Sequence, residues 1–235
     1  MEGSGVGECV GTDSRRPFLD RLDRRSSEQL RGLGTPQRFY RGDVLMRQGE
    51  PGEFVMLLTD GRVKITGQGR EGSTVILDFG IRGDLYGEIA VVAGGTRLAD
   101  VVAMGPAEAR RIAAMEFHHF LEQYPNATKE LLVSTARRFL VAQAQRKVPR
   151  KATPLSRVAE RLSYLVDMCG VATQQGWLID IPLSQSELAQ FVPLGRTVVA
   201  EALENLRTLG VITSSRMTIV VTDRDKLDTL HRQQV

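Results

Sequence analysis

The sequence predicts an α+β chain: an N-terminal antiparallel β-barrel of jelly-roll type, then a long dimerisation helix, then a C-terminal winged helix-turn-helix. Three observations carry this. Short β-rich runs punctuated by glycines fill Arg38 to Ile112, the period turns helical after Pro125, and a helix–strand–helix–turn–helix–strand–strand order follows Pro154. The 235 residues leave room for two modest domains at ~100–200 residues each.

Each element has a local reason. Phe18, Leu19 and Leu22 form a first short helical segment, and Ser26-Ser27-Glu28-Gln29 opens a second as a Ser-x-x-Gln capping box. The runs Val44–Met46, Phe54–Leu58, Val63–Thr66, Thr74–Phe79, Val101–Ala103 and Ala109–Ala113 are the predicted strands. Asn126 is the expected N-cap of the long helix, which runs to Arg146. Along it Thr128, Leu132, Thr135, Phe139, Ala142 and Arg146 alternate four and three apart, the spacing of a narrow two-helix seam. Leu132, Thr135, Phe139 and Ala142 are therefore the candidate dimer interface, leaving Leu131, Ala136 and Leu140 to cover the barrel. A basic hinge bracketed by Pro149 and Pro154 places the domain boundary between Arg146 and Thr153, with Thr153-Pro154 starting the next helix as N-cap and N1. The expected division is 1–15 as a flexible N-terminus, 16–125 as the barrel, 126–152 as dimerisation helix and hinge, and 153–235 as the DNA-binding domain.

Composition removes several function classes. Apolar residues at 42% and charged residues at 25% are ordinary for a globular chain. The apolar runs are too short to span a bilayer and the first residues are not a signal peptide, so the expectation is a cytoplasmic protein with no membrane partner. Cys9 and Cys169 lie far apart without a Cys/His cluster, so no metal is expected. Residues 38–112 contain no histidine, which removes a cupin-like barrel enzyme, and no catalytic residue is assigned. The net charge of +3 sits wholly in the C-terminal portion: residues 146–235 hold 12 Lys+Arg against 9 Asp+Glu.

That portion carries a DNA-reading constellation. Ser184-Gln185-Ser186-Glu187 is a capping box opening a helix through Phe191. Leu188, Val192, Leu194, Val199 and Leu203 would form the apolar contact of two steeply crossing helices, with Ala189 at the closest approach. The second helix, from Gly195 or Arg196 to Leu209, then exposes Arg196, Thr197, Ala200 and Glu201. Arginine can bridge guanine, glutamate can accept from cytosine, and a threonine methyl can touch thymine. Ser184, Gln185 and the helix amides would hold phosphates of double-stranded DNA.

As an ordered set, Gly42-Asp43, Gln48-Gly49-Glu50-Pro51, Asp60-Gly61-Arg62-Val63, Gly83-Asp84-Leu85-Tyr86-Gly87-Glu88-Ile89-Ala90 and Arg97, followed by the helix-turn-helix, resemble the cyclic-AMP receptor protein (Crp/Fnr) superfamily of bacterial transcription regulators over nearly all of residues 16–222. The resemblance implies a cyclic-nucleotide-binding barrel, homodimerisation, a pseudo-palindromic operator and RNA polymerase as a partner. It also implies an effector site at Gly87, Glu88, Ile89, Ala90, Arg97 and Leu98, with cyclic AMP or cyclic GMP as ligand. Glycine permits close backbone approach, Glu88 would accept from a ribose hydroxyl, and Arg97 would neutralise a phosphate.

Several positions depart from the family pattern. Leu98 stands where a small or hydroxyl residue is usual, and Ala142 and Gln143 fall on the base-reading positions of the central helix. Ala142 has no hydrogen bond to offer, whereas the Gln143 amide can contact a base. Arg196 matches the family's guanine-binding arginine, while Thr197 and Glu201 differ, so a different operator is expected. Pro193 replaces the usual turn glycine and is expected to alter the interhelix angle, because its ring disfavours positive φ. The oxygen-sensing branch lacks its cysteine cluster here and the haem branch its barrel histidine, since His118 and His119 belong to a short helix beside the barrel and His231 lies near the C-terminus. Two readings follow: a regulator controlled by a small effector, or an effector-independent one whose barrel serves dimerisation alone.

Overall fold

Apolar alternation broken by glycine turns resolves into eight strands in the N-terminal part of the computed structural model, which describes residues 16–69, 72–146 and 152–232, the side chains of 141–146 and 232 excepted. They are β1 (Thr35–Phe39), β2 (Val44–Met46), β3 (Phe54–Asp60), β4 (Arg62–Gln68), β5 (Thr74–Ile81), β6 (Leu85–Tyr86), β7 (Asp100–Ala103) and β8 (Ala107–Ala113). All pairings are antiparallel, in two sheets ordered β1-β8-β3-β6 and β2-β7-β4-β5. The expected barrel is thus a pair of facing jelly-roll sheets, with no ladder joining them among the described residues. Six strands were legible in the sequence. Of the two that were not, β1 carries Pro36 and polar residues, tolerable because it is an edge strand, and β6 is only two residues long.

Strand β3 organises the packing because its apolar run buries both faces. Met56 and Leu58 join Leu45, Val63, Val101 and Ala103 between the sheets, and Val55 and Leu57 turn to the helical side. There they meet Phe18 of α1 (Phe18–Arg21), Leu30 of α2 (Arg24–Gly32), and Phe117 and Phe120 further along the chain. Helix α2 starts differently from expectation. Asp23 is its N-cap, accepting from the Ser26 amide at 3.0 Å and the Ser26 hydroxyl at 2.7 Å, so Ser26 is the third helical residue and not the cap. These hydrogen bonds hold the Asp23 carboxyl below its ordinary pKa.

After the short α3 (Glu88–Ala93) come α4 (Ala114–Gln123), with His118 and His119 both exposed, and α5 (Pro125–Arg146). Pro125 takes the first position of α5, where its missing amide costs nothing, and Asn126 lies inside the first turn instead of capping it. The α5 face packed on the β structure is Ala127 and Leu131, with Ser134 and Arg138 half-buried. Ala136 and Leu140, expected on that face, are exposed. Seam position Ala142 and the hinge at 147–151 lie outside the described side chains and residues respectively, as does the N-terminal segment 1–15.

The chain after Arg146 belongs to a separate compact unit. Thr153 caps α6 (Pro154–Cys169), its hydroxyl accepting from the Ser156 amide at 3.2 Å with Pro154 at N1. There follow β9 (Gly170–Thr173), β10 (Gly176–Ile179), α7 (Gln185–Phe191), α8 (Arg196–Thr208), β11 (Ile212–Ser215), β12 (Thr218–Val221) and α9 (Arg224–Arg232). The strands form one antiparallel sheet ordered β11-β12-β10-β9, the wing of a winged helix. Strand β9 and helix α9 were not anticipated, α9 because among its described side chains only Leu227 is fully buried and the rest read as a polar tail. Cys169 is buried, its Sγ donating to the Leu165 carbonyl at 3.2 Å, and no His/Cys/Asp/Glu group able to hold a metal occurs among the described residues. No helix among them is long and apolar enough to cross a membrane.

Candidate nucleic-acid interface and effector cassette

The β6–α3 turn collects the predicted effector residues. Gly87 caps α3 at φ +83°, and a Cβ there would stand 2.3 Å from Arg97 Nη1, so both the backbone angle and the close guanidinium demand glycine. Arg97 is only 3% exposed: Nη1 donates to the Gly87 carbonyl at 2.8 Å, Nη2 to the Phe54 carbonyl at 2.5 Å, and the guanidinium carbon lies 4.7 Å from the Phe54 ring centre. Its Nε is buried with no hydrogen-bond partner. Burial pushes the Arg97 pKa below its ordinary value, opposed by the charges of Glu50 and Glu88. Glu88 and Ala90 are buried, whereas Ile89 and Leu98 point outward, the latter 66% exposed.

A residue missed in the sequence completes the cluster. Arg138, from α5, donates from Nη1 to Glu88 Oε1 at 2.9 Å and sits 5.9 Å from the Tyr86 ring centre. The available signal was the glutamate itself, since a buried carboxylate needs a cation from a facing element. Tyr86 in turn donates its hydroxyl to buried Asp84, which also accepts the Ile81 amide at 3.0 Å. On the far side of α5, Leu132 and Phe139 are 70% and 60% exposed and Thr135 is half-buried. The side chains of Ala142 and Gln143, the remaining positions implied for the effector, are not described.

In the C-terminal unit the capping box is complete: the Ser184 hydroxyl accepts from the Glu187 amide at 3.2 Å, and the Glu187 carboxylate accepts from the Ser184 amide at 3.0 Å. Leu188, Ala189, Val192, Val199 and Leu203 are buried, as the crossing requires, while Leu194, expected with them, is half-buried. Gly195 caps α8, and Arg196, Thr197 and Glu201 are exposed with Ala200 half-buried. Gln185 is exposed and Ser184 half-buried. Among the described residues Arg196 makes no hydrogen bond or ion pair, so its guanidinium is available.

Around the turn that Pro193 occupies, the Leu194 amide donates to the Ala189 carbonyl at 3.2 Å, Arg157 donates to the Val192 carbonyl at 2.9 Å, and Phe191 and Val192 are buried at the end of α7.

Comparison with known proteins agrees with this architecture. Residues 36–124 match the cyclic nucleotide-binding domain family and residues 156–230 the Crp-like helix-turn-helix domain family. A CRP-like cAMP-activated global transcriptional regulator of Mycobacterium tuberculosis is 26% identical over 200 residues, covering 82% of this chain and 86% of that protein. The cAMP-activated global transcriptional regulator CRP of Escherichia coli is 26% identical over 179 residues, covering 76% and 85%. Among solved structures, FixK2 from Bradyrhizobium japonicum superposes with a TM-score of 0.73 at 20% identity, covering 84% of this chain and 97% of that one. A Thermus thermophilus regulator of the CRP/FNR family gives 0.69 at 20% identity, covering 86% and 100%. With a cyclic nucleotide-binding domain, a long helix and a Crp-like helix-turn-helix in that order, the chain has the domain organisation and fold of Crp/Fnr-type transcription regulators, which are not enzymes.

Proposed function

We propose that two copies of this regulator pair along Leu132, Thr135, Phe139 and Ala142 of α5 and present two α8 helices to a pseudo-palindromic operator. The half-sites lie about one helical turn, ~34 Å, apart, since both helices must enter major grooves on one face of the duplex. The observation that carries the reading is the exposed Arg196 guanidinium in the first turn of a helix whose opposite face, Val199, Leu203 and Leu206, is fully buried. Arg196 reads guanine, Thr197, Ala200 and Glu201 tune neighbouring positions, and Ser184, Gln185 and Gly195 hold phosphates. The reading extends to RNA polymerase as a partner and to the cytoplasm as the site of action. Selection of bound duplexes from random DNA tests it: a two-fold-symmetric consensus is expected, and recovery of unrelated sequences overturns it.

The effector is a cyclic nucleotide, cyclic AMP or cyclic GMP, held at Gly87, Glu88, Ile89, Ala90, Arg97 and Leu98 with Ala142 and Gln143 facing the base. A buried arginine with one Nε donor unpartnered beside a buried glutamate supports it, because such a donor costs free energy until an acceptor arrives. Binding biases the hinge at 147–153 between two domain arrangements. Titration calorimetry with each nucleotide tests this, and saturable heat that Arg97→Ala abolishes is the expected result. A second reading, the effector-independent one, is favoured by Arg138 already pairing Glu88 and by two backbone carbonyls already occupying Arg97. Absence of heat with both nucleotides decides for it.

A further inference from the structure

A helix that reads bases must be held at a fixed angle, and here cations from outside the helix-turn-helix hold the end of α7 just before it and its own trailing end. At the leading end, the Val192 carbonyl closes α7, and the next residue is a proline with no amide of its own to position. Arg157 of α6 donates Nη2 to that carbonyl at 2.9 Å. One turn along α6, Arg161 lies 4.7 Å from the ring centre of Phe191, the residue before Val192. At the trailing end, the Leu209 carbonyl closes α8, and Lys226 of α9 donates Nζ to it at 2.8 Å. A cation at a helix C-terminus also complements the macrodipole. The two donating helices are locked to each other: Ser163 donates to Asp228 Oδ1 at 2.6 Å and Arg224 pairs with Asp167. The frame formed by α6 and α9 therefore grips the reading helix before its first turn and after its last.

We infer that Arg157 and Lys226 are positioning residues for operator discrimination, acting on α8 without touching DNA. The inference rests on α8 being the reading helix. Loosening either grip lets the α8 side chains wander from the base edges. Specific contacts need that register, whereas nonspecific phosphate attraction does not. Arg157→Met and Lys226→Met should thus lower affinity for the selected operator by about tenfold and about threefold, with a much smaller change for a scrambled duplex.

The test measures both affinities by fluorescence anisotropy at one fixed salt concentration on the full chain, for the wild type, Arg157→Met, Arg157→Lys and Lys226→Met. Lys226 is exposed, so its variant folds even if Arg157→Met does not. The expected result is a reduced operator-to-scrambled ratio in both Met variants, recovered in large part by Arg157→Lys, which keeps a donor for the carbonyl. A residue that only stabilised the fold would lower the melting temperature and leave the ratio unchanged. An unchanged ratio in both Met variants overturns the inference alone. A wild type that does not distinguish the two duplexes overturns it together with the DNA-reading assignment.

Discussion

Arg138 Nη1 lies 2.9 Å from Glu88 Oε1, so the long helix reaches into the effector cassette through one ion pair. Glu88 is 5% exposed, and removing its cation strands a buried carboxylate. Arg138→Met should therefore lower stability of the N-terminal unit by about 1–3 kcal/mol, below the range for fully buried pairs because Arg138 itself is partly in solvent. Glu88→Gln with Arg138→Met should lose less than the sum of the single changes. Chemical denaturation of the four proteins gives the coupling directly, and strict additivity would refute it.

Base reading predicts a local effect. Arg196→Ala should cost ~1–3 kcal/mol against the preferred operator and relax selection at a single position in each half-site. Repeating the duplex selection with the variant is the check. A uniform loss over every sequence would instead make Arg196 a phosphate contact.

The sequence legibility of this molecule followed how local each determinant is. The capping box at Ser184 and the threonine cap at Thr153 are set by four adjacent residues, and both occur as expected. Strand β3 was legible because an apolar run has one solution between two packed layers. The α2 cap was misplaced by three residues because Asp23 and Ser26 are both competent caps, and only the chain's entry into the helix chooses between them. Arg138 escaped because its partner lies 50 positions away, and the α5 faces were split wrongly between Leu131 and Leu140 since a 4-3 spacing repeats on two adjacent stripes. Roles for Gly87, Glu88 and Arg97 came from resemblance; their mutual packing came from the fold.

The exposed α5 stripe predicts an oligomeric state. Leu132 and Phe139 present large apolar surface, 70% and 60% exposed. Phe139→Glu places like charges opposite each other in a two-fold seam, so sedimentation should report a monomer with unchanged helical content. A persistent dimer would move the interface elsewhere.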